Sequence, residues 1–280
     1  MKRLIYVSFN PGRENWDKAD KLLAEIGVTK FEHEISVTGI YSFTLEKGDI
    51  RIDKLINGLK KQNLGKPSLR EERVYTKKEI DSAELLHLFI TTYCGDGYNV
   101  YGTEFDKSNI CTKCGSSGEV QKSDLIINKT EMGKKSIAIT YNFEIVILDK
   151  LADILKENEL TGYKLRPVRH YTDKMRNEPK LFQLVPTNTL PPTIPPTKIK
   201  KSDAYCSKCN KNGLYFDSEL YYSRKDLKKI CDFNNTYEYL GEKLTRGISH
   251  PRVIISQKAY QVLKQNKIKK MGVEPVNIVD

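Results

Sequence analysis

Two Cys-x-x-Cys pairs, 95 residues apart, are the feature that most restricts how this chain can fold. The segment Cys111–Gly118 (CTKCGSSG) matches Cys206–Gly213 (CSKCNKNG) without a gap. At the same offset, Ser123–Ile127 (SDLII) matches Ser218–Tyr222 (SELYY). Self-similarity at a fixed period is typical of a repeated structural unit, so these matches indicate an internal repeat.

A second, longer match lies downstream of the first at an offset of 108 residues. Ile145–Asn158 (IVILDKLADILKEN) falls on Val253–Asn266 (VIISQKAYQVLKQN), and the register continues to Pro167 and Pro275. The two matches are collinear, so we predict a duplication whose second copy carries 13 additional residues, the difference between offsets of 108 and 95. Proline cannot donate to a β-ladder, so both prolines should lie at a sheet edge or strand end.

Each copy has the pattern of a single supersecondary unit. A Cys-x-x-Cys turn leads to a short strand and then to a β-branched strand, at 145–147 in the first copy and 253–255 in the second. Apolar residues then recur three and four positions apart, which predicts an amphipathic helix. Ser256 is placed as the N-cap of the second helix, and Asp149 can serve the first. A returning strand closes each copy.

The cysteine spacing predicts a metal site, because two thiolates in a tight turn can approach one cation. The residue after each second cysteine is Gly115 or Asn210, the types that best tolerate a left-handed backbone. A structural zinc takes four ligands in tetrahedral geometry. We therefore predict one Zn²⁺ per chain, shared by the copies across a pseudo-twofold axis and held by Cys111, Cys114, Cys206 and Cys209. With four protein ligands, the metal should contribute folding free energy and not catalysis.

Three alternatives to the shared zinc site remain open. Each pair could complete its own site with ligands from a further set: Cys94, Cys231, His170 and His250. One pair could act as a redox dithiol, although such a dithiol usually begins a helix that lowers a thiol pKa. The four thiols could also remain reduced without any metal.

The domain organisation follows from the limits of the repeat. Residues 1–105 contain no copy and should form an N-terminal α+β domain, in which a capping box, Thr76-Lys-Lys-Glu79, opens a helix to about Thr91. The first module is predicted over 106–186, a Pro-rich linker over 187–200, and the second module over 201–280. The predicted fold class is α+β: the N-terminal domain followed by two zinc-knuckle/strand/helix/strand modules.

The charge distribution favours an anionic partner. The chain carries a formal charge of +11, and Pro195 to Asp280 contributes +8 of it, from 17 basic and 9 acidic residues. Long-range attraction of this kind suits a protein with an acidic surface or a nucleic acid. The nucleic-acid hypothesis gains from tyrosines interleaved with lysines, whose rings could stack on bases. Those tyrosines are Tyr215, Tyr221, Tyr222, Tyr237 and Tyr239.

Enzyme and membrane functions find no support in the sequence. The chain lacks a Ser-His-Asp order, a His-Glu-x-x-His motif and a phosphate-binding glycine loop, so we expect a non-enzymatic protein. No stretch approaches the roughly 18 apolar residues that a membrane-spanning helix needs. The first ten residues have too short an apolar core for a secretory signal. We expect a cytoplasmic protein.

From Cys111 to Asp280 the chain resembles the bacterial double-CxxCG motif proteins. The resemblance rests on the two Cys-x-x-Cys turns, the helix pattern ending in Leu-Lys-x-Asn, and the closing Pro-Val strand. The chain departs from the family motif at Asn210, where the family has glycine. Some proteins of that group are regarded as immunity proteins that neutralise toxins. The resemblance therefore implies a zinc-binding interaction protein with a toxin as partner and transfers no catalytic residue.

Overall fold

A computed structural model shows two compact units, Met1–Glu79 and Ile80–Asp280. The residues that the structure describes are 1–116, 118–172, 180–242 and 249–280. Both units combine helices with sheets in which most neighbouring strands are antiparallel, so the predicted α+β class is correct. Within these described ranges, no helix is long and apolar enough to cross a membrane.

The first unit is a four-stranded antiparallel sheet with two helices. Its elements are β1 (Lys2–Phe9), α1 (Trp16–Glu25), β2 (His33–Ile35), β3 (Tyr41–Glu46), α2 (Ile50–Lys61) and β4 (Ser68–Val74). The strand order β2-β3-β1-β4 with this βαββαβ sequence defines the ferredoxin-like, split βαβ fold. Apolar side chains of the sheet, such as Phe9 and Phe43, pack with Leu23 and Leu59 of the helices to form the core.

The second unit contains two five-stranded sheets and three two-stranded ones. A short helix, α3 (Lys77–Ser82), spans the boundary between the units. The remaining elements are β5 (Leu85–Ile90), β6 (Phe105–Asp106), β7 (Val120–Gln121), β8 (Leu125–Ile127), β9 (Ile137–Ile139), β10 (Ile145–Leu148), α4 (Asp149–Glu157), β11 (Tyr163–His170), β12 (Leu181–Pro186), β13 (Asn188–Thr189), β14 (Ile199–Lys201), β15 (Leu214–Phe216), β16 (Tyr221–Ser223), β17 (Phe233–Leu240), β18 (His250–Ser256), α5 (Gln257–Gln265), β19 (Met271–Pro275) and β20 (Asn277–Val279). We call β6 to β11 the first half and β14 to β20 the second half.

The two large sheets place equivalent strands in equivalent positions. Their orders are β8-β11-β12-β10-β9 and β13-β17-β18-β5-β19. In the first sheet, Leu184 of β12 lies between Ile145 of β10 and Leu165 of β11. In the second, Leu88 of β5 lies between β18 and β19, opposite the residues 108 positions further along the chain. Strand β5 thus belongs to the sheet of the second half although it precedes the first half in the chain.

The position of β5 corrects two predictions. The capping box forms, since Thr76 N donates to Glu79 Oε2 at 2.7 Å, but the helix ends at Ser82 and not near Thr91. The apolar run that follows is a strand with buried residues on both faces, and periodicity alone does not distinguish such a strand from a buried helix. The first compact unit accordingly ends at Glu79, whereas the sequence placed its boundary at residue 105.

The starts of α4 and α5 agree with the sequence only in part. Ser256 is the N-cap of α5, and its Oγ accepts from Ala259 N at 3.0 Å, as predicted. In α4 the N-cap position falls on Leu148, and Asp149 is the first helical residue, so its prediction as N-cap was wrong. The carboxylate of Asp149 still accepts from Lys150 N, at 2.8 Å.

The closing strands accommodate their prolines as expected. Pro275 is the last residue of β19, which lies at the edge of its sheet. Pro167 pairs with Phe182 of β12, and the pairing of β11 with β8 begins one residue later, at Val168. Neither proline interrupts a ladder that needs its missing N–H.

The segment predicted as a Pro-rich linker, 187–200, packs along the second half. Its strand β13 pairs in parallel with β17, and the side chain of Leu190 is buried. Further along, Thr193 donates from N and Oγ1 to Glu238 Oε1 at 2.7 and 2.8 Å. These contacts make the segment a strap held against β17.

Candidate metal centre

The two Cys-x-x-Cys pairs lie in the loops of two hairpins, β6–β7 and β14–β15. After each second cysteine the backbone turns through the left-handed region, with φ of 63° at Gly115 and 53° at Asn210. Their N–H groups donate back to Cys111 O at 2.7 Å and Cys206 O at 2.9 Å. Glycine and asparagine are the residues that tolerate this conformation, which explains their presence at the equivalent positions.

A second pair of equivalent residues, Gly118 and Gly213, closes each hairpin loop. Both have positive φ, 87° and 75°. A Cβ at Gly118 would lie 2.0 Å from Asn109 O, and a Cβ at Gly213 would lie 2.4 Å from Tyr205 N. The loop crosses its own backbone so closely that only glycine fits, which accounts for the match of these glycines in the repeat.

The hairpins bring all four predicted ligands together. The Sγ atoms of the four cysteines lie within 4.8 Å of one another. Equivalent cysteines face each other, with 3.8 Å between Cys111 Sγ and Cys206 Sγ and 3.7 Å between Cys114 Sγ and Cys209 Sγ. Thiolates bound at about 2.3 Å to one tetrahedral zinc lie about 3.8 Å apart. The cysteines are free, and these separations far exceed the roughly 2.05 Å of a disulfide.

Reciprocal contacts around the cluster give it twofold character. Lys113 Nζ donates to Ser207 Oγ at 3.3 Å, and Lys208 Nζ donates to Thr112 Oγ1 at 2.5 Å. Each lysine sits between the two cysteines of one loop and reaches a hydroxyl in the other loop. The sequence analysis did not identify these four residues, although their matched positions in the repeat were a usable signal.

Electrostatics prepare two of the cysteines as anionic ligands. Backbone N–H groups of Cys114 and Lys113 lower the pKa of Cys111 to about 6. In the second loop, the N–H of Cys209 likewise lowers the pKa of Cys206. Burial instead raises the pKa of Cys114 to about 12. A bound cation would supply the positive charge that a buried thiolate such as this one needs.

The alternative ligands named from the sequence lie elsewhere in the molecule. Those candidates were Cys94, Cys231, His170 and His250. Across the described ranges, the four clustered cysteines are the only group of three or more Cys, His, Asp or Glu ligand atoms close enough to share one ion. Cys94 is buried in an apolar cluster. His170 Nδ1 accepts from Lys129 N at 3.2 Å, and the ring of His250 stacks on Phe143 with centroids 4.0 Å apart.

Comparison with known proteins does not place this chain in a family. Its sequence matches no protein-family model and no curated protein. The resemblance to double-CxxCG motif proteins therefore stays a prediction drawn from the motif residues. What the centre can do is argued below from its geometry.

Proposed function

We propose that the four cysteines bind one structural Zn²⁺ that joins two copies of a duplicated module. The observation that carries this proposal is the cluster of four sulfurs at the spacing of a tetrahedral zinc site, contributed equally by the two hairpins. Four thiolates fill the coordination sphere and leave no position for water or substrate. The metal then stabilises the fold, and the protein acts by binding and not by catalysis.

The backbone supports the duplication independently of the cysteines. Leu148 N donates to Ser136 O and Ser256 N donates to Asp232 O, both at 3.1 Å. Asp149 N donates to Lys180 O and Gln257 N donates to Glu84 O, both at 3.0 Å. In both comparisons the donors are 108 residues apart and the acceptors are 96 residues apart along the chain. Unrelated halves have no reason to share such a pattern.

The proposed partner is a protein with an acidic surface, which the second hairpin would contact. Residues 198–217 contain five lysines and two aspartates, a net charge of +3. The equivalent residues of the first hairpin, 104–122, contain three basic and three acidic residues, a net charge of zero. Charge complementarity of this kind steers association and fixes register. The family resemblance supports a toxin as that partner and hence an immunity role in the cytoplasm.

Elemental analysis of anaerobically purified protein tests the zinc proposal. One zinc per chain is expected. Two zincs per chain would favour separate sites, and protein that folds without any metal would contradict the proposal. The result does not depend on finding the partner.

A charge-reversed variant tests the binding proposal. We expect Lys198, Lys200 and Lys201, changed together to Glu, to abolish recovery of an acidic protein by affinity capture from the source cells. A matched variant in the first hairpin, with Lys107 and Lys122 changed to Glu, should leave recovery intact. Equal recovery with all three proteins would contradict a role for the second hairpin.

A nucleic-acid-binding function is the second candidate, supported by exposed aromatic rings beside lysines. Tyr215 and Tyr237 are 39% and 60% exposed. Lys211 Nζ lies 4.5 Å from the ring centroid of Tyr239 in the same region. Binding of labelled oligonucleotides that weakens steeply with salt would favour this function. A stoichiometric protein complex without oligonucleotide affinity would favour the first.

A further inference from the structure

The two halves differ most in the connection that leads into the strand before each helix. In the first half, five residues (140–144) join Ile139 of β9 to Ile145 of β10. In the second half, 17 residues (236–252) separate the equivalent positions, Asn235 and Val253. Most of the 13 additional residues of the second half therefore lie in the hairpin β17–β18, whose residues 243–248 fall outside the described ranges.

A cavity of about 290 Å³ lies where this longer hairpin meets the short turn of the first half. Its apolar wall includes Leu88 of β5, Ile139 and Ile145 of the first half, and Val253 of the second. Ligand pockets span roughly 300–1,000 Å³, so this cavity suits a molecule of one or two rings. It combines residues of both halves, and the twofold relation does not generate a second cavity of the same composition.

The polar lining of the cavity comes from the additional residues of the hairpin. Arg252 and His250 both lie there and line the cavity. The guanidinium of Arg252 contacts His250 Nε2, and no carboxylate among the described residues pairs with it. Burial lowers the pKa of Arg252, the direction expected when a cation is desolvated without a counter-charge. Its arginine neighbour in this unit, Arg224, by contrast pairs with Glu84 at 2.7 Å.

Two phenylalanine rings complete the lining. Phe89 and Phe143 are each 37% exposed. The backbone of Phe143 has a φ of 68°, a left-handed conformation that is costly for an aromatic residue and is typical of functional sites. This conformation places the Phe143 ring on His250 and 5.7 Å from the guanidinium carbon of Arg252. A flat ligand could therefore contact an aromatic face and a guanidinium together.

We propose that this cavity binds a small planar aromatic anion, whose ring packs against Phe89 and Phe143 and whose anionic group pairs with Arg252. The planar guanidinium fork matches carboxylate and phosphate geometry. An anion would also supply the counter-charge that the described residues do not. Either a phosphate or a carboxylate satisfies this chemistry, so both must be tested.

The hairpin that carries Arg252 is attached to both cysteine loops. Ser249 Oγ and Ser116 Oγ lie 3.0 Å apart, and Ser116 follows Cys114 by two residues. On the other side, Gly241 N donates to Leu214 O at 2.8 Å in β15. The metal centre therefore helps position the hairpin, and binding must be measured on metal-loaded, full-length protein.

Titration calorimetry with four probes tests the proposal. The probes are AMP, adenosine, inorganic phosphate and indole-3-acetate. We expect AMP or indole-3-acetate to bind with a Kd below about 1 mM, and adenosine and phosphate to bind at least about tenfold more weakly, since each lacks one of the two interactions. Preference for AMP identifies a phosphate ligand, and preference for indole-3-acetate identifies a carboxylate. If neither ring-bearing anion binds at 1 mM, the proposal is overturned.

Three variants show whether binding occurs in this cavity. Arg252→Met should weaken the preferred probe about tenfold or more, because it removes a charge-assisted hydrogen bond and keeps the volume. Phe143→Leu should weaken it by a smaller factor. Lys264→Met, beside another surface cavity where Lys264 pairs with Asp81 at 3.1 Å, is the matched control and should have no effect. Unchanged affinity in Arg252→Met, with zinc content and thermal stability at wild-type levels, would also overturn the proposal.

Discussion

The two cysteine hairpins have nearly the same geometry and very different surfaces. Both turn through a left-handed residue after the second cysteine, both close on a glycine that admits no Cβ, and each sends a lysine to the other loop. Yet the first hairpin is neutral and the second carries +3. Metal geometry and backbone contacts constrain the interior of each loop, whereas solvent-facing positions are free to differ. The difference therefore marks the second hairpin as the surface that meets a partner.

The large sheets show a second difference, in where their strands come from. Each has a strand between the strands that flank its helix: β12 in the first half and β5 in the second. Chain order places β5 before the first half and β12 after it. The second half thus obtains this strand from the chain that precedes the first half. The two halves are interlocked, so damage to β5 should appear in the sheet of the second half.

Equivalent cysteine substitutions give the largest expected effect. Metal binding is coupled to folding, so Cys114→Ser and Cys209→Ser should each lower the free energy of unfolding by several kcal/mol and reduce bound zinc. Thermal unfolding and elemental analysis measure both quantities. Cys231→Ser, at a cysteine outside the cluster, is the control. If only one of the two equivalent substitutions changes stability, a shared site is wrong.

Truncation of the matched leucines in β5 and β12 should have the next largest effect. Leu88 and Leu184 are both buried in one apolar cluster, so each change to Ala should cost about 2–5 kcal/mol. Hydrogen exchange should show lost protection in β18 and β19 for Leu88→Ala, and in β10 and β11 for Leu184→Ala. Exposed Val120→Ala should change stability by less than about 0.5 kcal/mol. Loss of protection confined to the same sheet for both leucines would contradict the interlocked arrangement.

Substitution of the loop glycines should have an intermediate effect. Gly118→Ala and Gly213→Ala each introduce a Cβ against backbone at positive φ, so each should cost about 1–3 kcal/mol and weaken zinc binding. Gly102 also has positive φ but faces open space, so Gly102→Ala isolates the conformational cost of about 1 kcal/mol. Chemical denaturation compares the three variants. Equal losses in all three would show that close approach contributes nothing.

The helix starts should show the smallest difference. Ser256→Ala removes the N-cap acceptor of α5 and should cost about 1 kcal/mol. Asp149→Ala in α4 removes a carboxylate that does not occupy the N-cap position, so its loss should be smaller. Thermal unfolding of both variants tests the distinction. A larger loss for Asp149→Ala would show that the first half uses an equivalent cap after all.

Much of the second unit was predictable because its signals are local. The strand-helix-strand pattern of each half, the N-cap at Ser256 and the left-handed turns at Gly115 and Asn210 follow from residue type and spacing. Helix α3 shows the limit of such signals. Its capping box formed as predicted, yet the apolar residues beyond Ser82 became a strand, because pairing with two neighbours outweighed local helix preference.

The sequence by itself determined the four cysteines, the repeat and the α+β class, because each depends on spacing along the chain. Only the tertiary structure decided which sheet β5 joins, where the first unit ends and that the four sulfurs meet. It also decided that Arg252 and Phe143, more than 100 residues apart, line one cavity. These outcomes depend on contacts between distant segments, whose free energy comes from shared burial and hydrogen bonding and leaves no periodic trace in the sequence.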